Sequence, residues 1–395
     1  MTSAALVPLR ELAELKSGGT PSKSRKDYWD GDIPWISGKT LHDTFVNDSD
    51  LRITEAGLSA GSNLAPVHSS LILVRGMSLL QEIRIGMATR PVAFNQDVKA
   101  VVARPTVRPR YLNLALRAAA PTLLDQVHQA GHGTGVLATD RLTDLPIWLP
   151  PLEEQERIAG VLGAFDDLIE TNRRLIAGLD DLFQSLWRQD YSGRSSAPRQ
   201  PLAAVASTQY GLTASASDDP TGVKFLRVTD INKQNWINWE SVPTVPSSEV
   251  QGDKYRLRAG DLLVARMADP GKSAIYEGGP DAVFASYLVR LKPDSYEDGL
   301  YLYGFLKSAD YEGYAAGAMT GSVQKNMNAK VISAATMNWP DESDRLAFAK
   351  KVAPIRAAQS SLLTEVDDLT RQRDELLPLL MSGKVRVRDV EAAVS

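Results

Sequence analysis

The sequence contains no cysteine among its 395 residues and only four histidines. Without thiols, the chain cannot build disulfide scaffolds, cysteine-based zinc sites, thiol nucleophiles or iron–sulfur clusters. No uninterrupted apolar run approaches the roughly 18 residues that a membrane-spanning helix requires. The first residues also lack the basic region and the apolar run of a signal peptide. We therefore expect a protein of a reducing cytoplasm that neither spans a membrane nor is exported.

Common catalytic motifs are missing as well. The single Gly-Lys-Ser run, residues 271–273, is preceded by Arg266 where a phosphate-binding loop has glycine. There is no Gly-x-Ser-x-Gly elbow and no Asn-Pro-Pro-Tyr motif of DNA methyltransferases. His128 and His132 are four residues apart, but the glycines beside His132 interrupt a helix and no glutamate lies between them. We expect no metal site and no covalent chemistry in this chain alone.

Acidic charge is concentrated in one short segment. The net charge is -4, which is unusual for a protein that binds nucleic acid. Residues 1–150 carry 16 basic and 14 acidic side chains, whereas residues 151–191 carry 4 basic and 9 acidic ones. The remaining parts are close to neutral, so basic side chains could still gather on one face of each globular part.

Two segments show apolar residues in alternating steps of four and three, the spacing of a coiled-coil heptad. The first set is Ile158, Leu162, Phe165, Ile169, Asn172, Ile176, Leu179, Phe183 and Leu186, and the second is Phe348, Val352, Ile355, Gln359, Leu362, Val366, Leu369, Arg373, Leu376 and Leu380. We expect two long helices that pair, with Asn172 facing Gln359 or Arg373. Pro354 predicts a kink or a late start of the second helix. A further apolar stripe through Leu168, Leu175 and Leu182 predicts that the first helix touches more than one neighbour.

The two globular parts resemble each other after a shift of about 190 positions. Matching segments are residues 8–9 with 201–202, 33–37 with 224–228, 73–75 with 264–266, 92–94 with 283–284 and 133–136 with 320–323. Each part then reaches its long helix through a Trp/Pro pair. The common order of these matches favours a duplicated unit of globular domain plus helix.

Short alternating apolar runs such as 70–74 and 261–265 predict strands, and residues 111–119 and 300–307 predict short helices, so each globular part is predicted to be α+β. The predicted boundaries are a first domain at 1–150, a helix at 151–190, a linker at 191–198, a second domain at 199–340, a second helix at 341–383 and a tail at 384–395. The fold expected from this is two similar α+β domains, each followed by a long helix, with the helices pairing as an antiparallel coiled coil.

The run from residue 150 to 158, Pro-Pro-Leu-Glu-Glu-Gln-Glu-Arg-Ile, resembles a conserved segment of the specificity subunits of type I restriction–modification systems. The matching positions are Pro150, Pro151, Leu152, Glu154, Gln155 and Ile158. Further matches are Pro8-Leu9, Gly18-Gly19-Thr20-Pro21, the run from Ile33 to Gly38, and Phe94-Asn95-Gln96. The resemblance covers the whole chain, but the second helix opens with residues 339–345 and lacks the Pro-Leu-x-Glu-Gln run.

The resemblance implies a non-catalytic subunit that reads a two-part site on double-stranded DNA. Each domain would read one half, and the paired helices would act as a spacer whose length sets the gap between the halves. The implied partners are two methyltransferase subunits and a restriction/translocase subunit. Adenine methylation with S-adenosylmethionine, and cleavage driven by ATP and Mg, would belong to those partners, so that this chain needs no cofactor.

Reading DNA requires Arg or Lys against guanine, Asn or Gln against adenine, and cationic or amide donors to phosphate. Side chains of these kinds follow predicted strands or lie in glycine-flanked loops. In the first domain the candidates are Ser37, Lys39, Arg75, Arg84, Gln96 and Thr134, and in the second they are Arg227, Thr229, Arg266, Lys272, Ser322, Gln324, Lys325 and Asn326.

The helices would hold the partner subunits, according to the resemblance. The candidate partner-binding residues are Glu154, Gln155, Ile158, Leu162, Phe165, Ile169, Asn172, Leu362, Val366 and Leu369. Because the two domains are nearly neutral, we expect weak DNA binding by the isolated chain and tighter binding with a partner. Two alternatives remain open: a protein-interaction scaffold that binds no nucleic acid, and a specificity chain of a combined cleaving and methylating enzyme.

Overall fold

The protein was analysed as a computed structural model, which describes residues 5–250, 252–319 and 326–387. The first part contains strands β1 Ala5–Pro8, β2 Ala13–Ser17, β3 Trp29–Ile36, β4 Phe45–Val46, β5 Arg52–Ile53, β6 Asn63–Ala65, β7 Ser70–Leu73, β8 Arg75–Gly76, β9 Ile85–Ala88, β10 Val92–Phe94, β11 Val98–Ala103, β12 His128–Ala130, β13 Thr134–Val136 and β14 Pro146–Leu149. Its helices are α1 Leu9–Leu12, α2 Glu55–Gly61, α3 Pro109–Ala118, α4 Ala120–Leu124 and α5 Thr139–Thr143, and the long helix α6 Leu152–Gly193 follows.

The second part repeats this arrangement. Its strands are β15 Arg199–Pro201, β16 Ala206–Tyr210, β17 Val223–Leu226, β18 Thr244–Val245, β19 Leu262–Ala265, β20 Ser273–Ile275, β21 Ala282–Phe284, β22 Leu288–Pro293 and β23 Thr336–Asn338. Its helices are α7 Leu202–Val205, α8 Tyr296–Leu306, α9 Ala309–Ala318 and α10 Ala329–Ala334, and the long helix α11 Glu342–Met381 follows. Short 3₁₀ helices cover Lys26–Tyr28, Ser78–Leu80, Gly131–Gly133, Val228–Asp230 and Ser247–Glu249.

The chain divides into two compact units. The first unit comprises Met1–Glu170 with Asp368–Ser395, and the second comprises Thr171–Asp367. Each unit therefore contains one α+β domain, a segment of α6 and a segment of α11, which confirms the predicted fold class. The helix α6 ends at Gly193, so its last residues extend into the segment predicted as a linker.

In the first unit, two sheets enclose the core. One sheet has the strand order β2-β11-β7-β9-β4, and the other has the order β5-β3-β10-β6. The apolar side chains of β7 are buried, and so are Val98, Ala100 and Val101 of β11. Helix α3 packs on the same core through Tyr111, whose side chain is completely buried.

In the second unit, one sheet has the order β16-β22-β19-β20 and the other the order β18-β17-β21. The strand β17 runs parallel to β21, as β3 runs parallel to β10 in the first unit. Helix α8 covers the larger sheet, and Tyr301, Tyr303 and Phe305 join its core. Among the described residues of this unit, β20 is the edge strand of the larger sheet, whereas its counterpart β9 is paired on both sides.

The long helices pair antiparallel within each unit. In the second unit, Gln359 Nε2 donates to the carbonyl of Ile176 at 3.2 Å, and the rings of Phe183 and Phe348 are 6.1 Å apart. Residue numbers thus rise along α6 as they fall along α11. In the first unit, the buried apolar residues of α6 share a core with those of α11. These are Ile158, Ala159 and Leu162 on α6, and Leu377, Leu380 and Met381 on α11.

Pro354 does not delay the second helix, because α11 begins at Glu342 and continues past this residue. The missing N–H of one proline is therefore tolerated where apolar packing supports the helix on both sides. The chain leaves the helix through Gly383, whose φ of 70° lies in the left-handed region that favours glycine. The Nδ2 atom of Asn172 is buried and has no hydrogen-bond partner in the described residues, and the position of Asn172 opposite Gln359 or Arg373 stays a prediction.

Strand pairing fixes the correspondence between the two domains. Phe94 and Phe284 occupy the same position on the parallel strand pair, which is a shift of 190 residues. Along β7 and β19, however, Leu73 corresponds to Ala265, because they face Val98 and Leu288 respectively. The alignment read from the sequence was one residue off here, since short apolar runs match equally well in neighbouring registers.

Candidate nucleic-acid interface

In the first unit, several strands end at one edge of the domain. The backbone N–H of Asn95, which follows β10, donates to the carbonyl of Ile36 at the end of β3 at 2.9 Å. The N–H of Val74, which follows β7, donates to the carbonyl of Asp97 at 2.8 Å, and the Val74 carbonyl accepts from the N–H of Leu137 at 2.9 Å. These bonds bring the segments with the predicted DNA-reading residues to the same edge.

Two of the predicted residues hold a turn after β3. The Ser37 hydroxyl accepts the backbone N–H of Lys39 at 3.3 Å. The guanidinium of Arg84 donates to the carbonyl of Gly38 at 2.8 Å and pairs with Glu82 at 2.6 Å. Arg84 and Ser37 therefore stabilise the loop, and Lys39 extends from it as an exposed cation.

Arg75 and Thr134 lie together in the small sheet β12-β13-β8. Arg75 faces Val136 across the sheet, its side chain is exposed, and within the described residues it forms no ion pair. The neighbouring Met77 is 74% exposed, which is unusual for a large apolar side chain. Gln96, which precedes Asp97 in the sequence, is exposed. Its side-chain oxygen accepts a hydrogen bond from the hydroxyl of Thr20 at 2.6 Å.

One glycine in each unit permits this convergence of strands. A Cβ atom on Gly18 would lie 2.2 Å from the carbonyl oxygen of Phe94, and one on Gly211 would lie 2.3 Å from that of Phe284. Real Cβ contacts never come this close, so only glycine allows the backbones to approach. The same close approach in both units shows that the duplication includes the loop after the first long strand.

In the second unit, Arg266 and two tyrosines form the corresponding edge. The Arg266 N–H donates to the carbonyl of Tyr287 at 2.9 Å, and its guanidinium carbon is 4.9 Å from the centre of the Tyr210 ring. The Tyr210 hydroxyl accepts the N–H of Ala329 at 3.0 Å. Tyr210 and Tyr287 are 42% and 56% exposed. Exposed tyrosines beside an arginine combine phosphate donors with apolar rings, a composition suited to nucleic acid.

The other predicted residues of the second unit have different surroundings. Arg227 pairs with Asp230 at 3.0 Å, and Thr229 and Lys272 are exposed. The Oδ1 atom of Asn326 is buried and has no hydrogen-bond partner in the structure described. Three of the predicted residues lie outside the described residues: Ser322, Gln324 and Lys325.

Sequence reasoning missed Tyr210, Tyr287 and Met77. All three are large side chains with apolar parts, which in a sequence are expected in the core. Their signal is positional, since each lies directly beside the end of a strand. It becomes visible only once the strand register is known.

A buried ion pair supports the sheet that carries Arg266 and Tyr287. Arg290 on β22 lies 3.1 Å from Asp261 just before β19, and their side chains are 7% and 3% exposed. Burial raises the pKa of Asp261, while the N–H of Arg258 and the Arg290 guanidinium oppose this rise. The ion pair joins the neighbouring strands β19 and β22 and so stabilises the sheet edge that carries Arg266 and Tyr287.

The part of the chain that the structure describes contains no group of three or more His, Asp or Glu side chains placed to hold a metal ion. In the same part, no helix is both long and apolar enough to cross a membrane.

Comparison with known proteins gives a family match for the first part of the chain. The family described as "Type I restriction modification DNA specificity domain" matches residues 4–180. Residues 4–180 are thus similar to a type I restriction specificity domain. The resemblance inferred from the sequence is thereby confirmed.

Individual relatives agree with this. The Escherichia coli type I restriction enzyme EcoR124I/EcoR124II specificity subunit is 32% identical over 162 residues, which are 40% of this chain and 40% of that protein. The MjaIX specificity subunit of Methanocaldococcus jannaschii is 29% identical over 171 residues, 42% of this chain and 38% of that protein. These matches thus span less than half the length of either relative. The type I S subunit from M. genitalium has the same fold, with a TM-score of 0.58 at 13% identity and 96% coverage of both chains.

Gln155 joins the specificity domain to its helix. Its side chain is 1% exposed, accepts the backbone N–H of Arg108 at 2.9 Å and donates to the carbonyl of Pro150 at 2.9 Å. The corresponding residue of the second unit is Arg345, which donates to Asp298 at 2.6 Å and to the carbonyl of Pro340 at 2.5 Å. The second helix is therefore attached at the corresponding positions without the Pro-Leu-x-Glu-Gln run. Arg345 keeps the donated bond to the proline carbonyl, and it donates to the Asp298 carboxylate where Gln155 accepts a backbone N–H.

Many of the predicted partner-binding residues are interior. Gln155, Ile158, Leu162, Ile169, Asn172 and Val366 are at most 8% exposed, and Phe165, Leu362 and Leu369 are partly buried. Glu154 is partly buried and pairs with Arg157. Beyond Leu152 at its first position, the large apolar side chains that α6 exposes are Leu168, Leu175 and Leu182, at 49%, 51% and 44%. Their seven-residue spacing matches the second apolar stripe in the sequence, and within the described residues these three leucines remain exposed to solvent.

Proposed function

We propose that this chain is the DNA sequence-specificity subunit of a type I restriction–modification complex. In this proposal, each α+β domain reads one half of a two-part duplex site. The observation that carries the proposal is the matching edge in the two units, where strand ends gather around the segments holding Arg75 and Arg266. Duplication of this edge supplies two reading surfaces with different side chains, as a two-part site requires.

The chemistry would belong to partner subunits. The sequence lacks the motifs of nucleotide, methyl-donor and metal-dependent catalysis, and the described side chains form no metal cluster. We propose methyltransferase subunits and a restriction subunit as partners, with adenine as the methylated base. S-adenosylmethionine, ATP and Mg would be bound by them.

The exposed leucines of α6 are the proposed contact for a methyltransferase subunit. Burying a leucine side chain stabilises an interface by about 1.5–3 kcal/mol, so Leu175 and Leu182 could anchor a partner. The buried heptad residues act indirectly, because they hold the helix pair together. Replacing Leu175 with Glu should remove the co-purifying methyltransferase, whereas Arg174→Glu, one residue earlier, should leave it bound.

Methylation mapping tests the proposal as a whole. Methylated adenines would be mapped in the native cell with and without the gene, alongside a pull-down on the full chain. Loss of a two-part methylated motif on deletion, with a methyltransferase in the pull-down, is the expected result. An unchanged methylation pattern would contradict it and would favour a scaffold that does not bind DNA.

A further inference from the structure

A cavity of about 290 Å³ lies at the edge of the larger sheet in the second unit. The loop Asn232–Asn235, the turn before β20 and the end of α8 line it. In the first unit, the strand β4 pairs with β9 at the matching sheet edge. Among the described residues of the second unit no strand pairs with the outer edge of β20, and the loop follows a series of bends instead. The cavity is thus a consequence of a strand that one unit has and the other lacks.

Lysines dominate the charge of this cavity. Lys307 lines it from the end of α8, and Lys233 and Lys272 are exposed at its rim. One carboxylate, that of Glu312, is also at the rim. The Oδ1 atom of Asn232 is buried there without a hydrogen-bond partner, so the wall also offers an unused acceptor.

Lys307 differs from its counterpart in the first unit in one decisive respect. The counterpart, Arg117, pairs with Asp166 of α6 at 2.6 Å. The residue that corresponds to Asp166 is Arg356, a cation. Within the described residues Lys307 has no carboxylate at ion-pair distance, and its Nζ donates only to the carbonyl of Ser273, at 2.6 Å. An ammonium group has three donors, so two remain for a ligand in the cavity.

The loop that closes the cavity is held in place. The Tyr303 hydroxyl donates to the carbonyl of Asn235 at 2.6 Å, and Asn235 Nδ2 donates to Asp180 of α6 at 2.6 Å. A ligand would therefore enter a cavity whose wall is already ordered, which lowers the entropy cost of binding.

We propose that this cavity binds a phosphate group, with Lys307 as the central cation, Lys233 and Lys272 at the rim, and Asn232 accepting from a donor group of the same ligand. Lysine suits phosphate as a point charge, and three of them exceed the single rim carboxylate. The phosphate could come from the DNA backbone or from a free nucleotide. The inference does not depend on the proposed DNA function, because inorganic phosphate alone can test it.

The first experiment titrates the full chain with inorganic phosphate at constant ionic strength and follows binding by calorimetry. Lys307→Met should weaken phosphate binding about tenfold or more, because a charge-assisted hydrogen bond is lost. The matched control is Lys224→Met. Lys224 is also partly buried and donates to one backbone carbonyl, that of Val242 at 2.8 Å, but lies outside the cavity. Phosphate binding by this control should equal that of the wild type.

A second variant keeps the test decisive should Lys307→Met fail to fold. Glu312 is exposed, so Glu312→Gln leaves the core intact and removes the rim carboxylate. Phosphate should then bind about threefold more tightly, the size typical of one exposed charge. An absence of phosphate binding in the wild type at tens of millimolar, or equal binding in wild type and in every folded variant, would overturn the proposal.

Duplex DNA distinguishes the two sources of the phosphate. If the ligand is a backbone phosphate, Lys307→Met should lower the salt dependence of duplex affinity by about one counterion. If it is a free nucleotide, the salt dependence should be unchanged, while adenosine monophosphate competes with inorganic phosphate. Either result supports the proposal that the cavity binds phosphate, and each result identifies a different source of that phosphate.

Discussion

The two units anchor their domains to the long helices through buried charges of opposite sign. In the first unit, Asp166 of α6 is 4% exposed and lies between Arg117 of the domain and Arg373 of α11, at 2.6 and 3.0 Å. In the second unit, the corresponding residue is Arg356 of α11. It is 3% exposed and contacts Glu277 of the domain at 2.6 Å and Asp180 of α6 at 3.6 Å.

Asp166 and Arg356 thus place a buried charge at the same position of the two units, but with opposite sign. An unpaired charge in the interior is strongly unfavourable, so a reversal is stable only when the surrounding charges also reverse. Each unit satisfies this with counter-charges from two different elements. These charged contacts link each domain to both helices. Replacing a single charged residue by one of opposite sign would leave like charges facing each other, so the residues of one unit cannot be substituted individually by those of the other.

The largest effect is expected for Asp166→Ala. The change leaves Arg117 buried without a counter-charge and leaves Arg373 with only the exposed carboxylate of Asp374, 2.8 Å away. Breaking a buried pair in this way costs about 3–5 kcal/mol of unfolding free energy. Chemical denaturation of the full chain would measure it. The control is Asp167→Ala, whose side chain is 59% exposed and pairs with Arg110, with an expected loss below about 1 kcal/mol. Equal losses would contradict the role given to Asp166.

Arg356→Met should cost somewhat less, about 3 kcal/mol, and its cost should depend on pH. Burial already raises the pKa of Asp180, and hydrogen bonding by Asn235 and the charge of Arg356 restrain that rise. Without Arg356 the pKa rises further, so the folded state binds more protons than the unfolded state and stability increases as pH falls.

The stability deficit of Arg356→Met should therefore shrink between pH 7 and pH 5. That of Asp166→Ala should stay constant over the same range, because arginines do not lose their charge. Denaturation curves at both pH values would show the contrast. A deficit of Arg356→Met that does not change with pH would argue against a carboxylate left uncompensated by the substitution.

The attachment at the start of each helix should show a smaller effect. Gln155→Ala leaves the Arg108 N–H and the Pro150 carbonyl without their partner, which costs about 1–3 kcal/mol. Gln155→Glu should retain the accepted bond and lose the donated one, with an intermediate loss. Thermal unfolding of the three proteins gives the order. Equal stability of Gln155→Ala and the wild type would mean that water replaces both bonds.

A substitution at the strand edge of the second unit that holds Arg266 and Tyr287 should lower DNA affinity without lowering the stability of the fold. Tyr287→Ala removes an exposed ring, and we expect duplex affinity of the assembled complex to fall about tenfold. Tyr255→Ala serves as a control with a tyrosine of the same unit that packs edge-on against Phe284. Affinity measured by titration of a cognate duplex should be unchanged in the control, and a similar loss in both variants would argue against a contact at Tyr287.

The helices and the duplication could be predicted from the sequence, because heptads and repeated segments are local patterns. The buried residues from Ile158 to Phe183 confirm the first heptad run. The spacing could not show which of two apolar stripes faces the interior. The choice depends on where the domain packs, and that packing leaves Leu175 exposed.

The candidate site was only partly predictable. Arg75 and Arg266 emerge at corresponding edges, but they are one position apart in the strand register, since Val74 corresponds to Arg266. Arg84 carries the type of side chain expected for DNA, yet its guanidinium holds a turn. The sequence shows which hydrogen-bond donors a residue has. Only the fold shows whether a backbone carbonyl already accepts from them, which leaves fewer donors for DNA.

In the proposed function, the two edges read different halves of one site, and each edge can be changed separately. This is tested most directly by mapping methylated adenines in strains that carry Arg75→Ala or Arg266→Ala in place of the native chain. We expect each variant to relax the motif in one half only, and the two variants to affect different halves. Relaxation of the same half by both variants, or a motif unchanged in both, would contradict it.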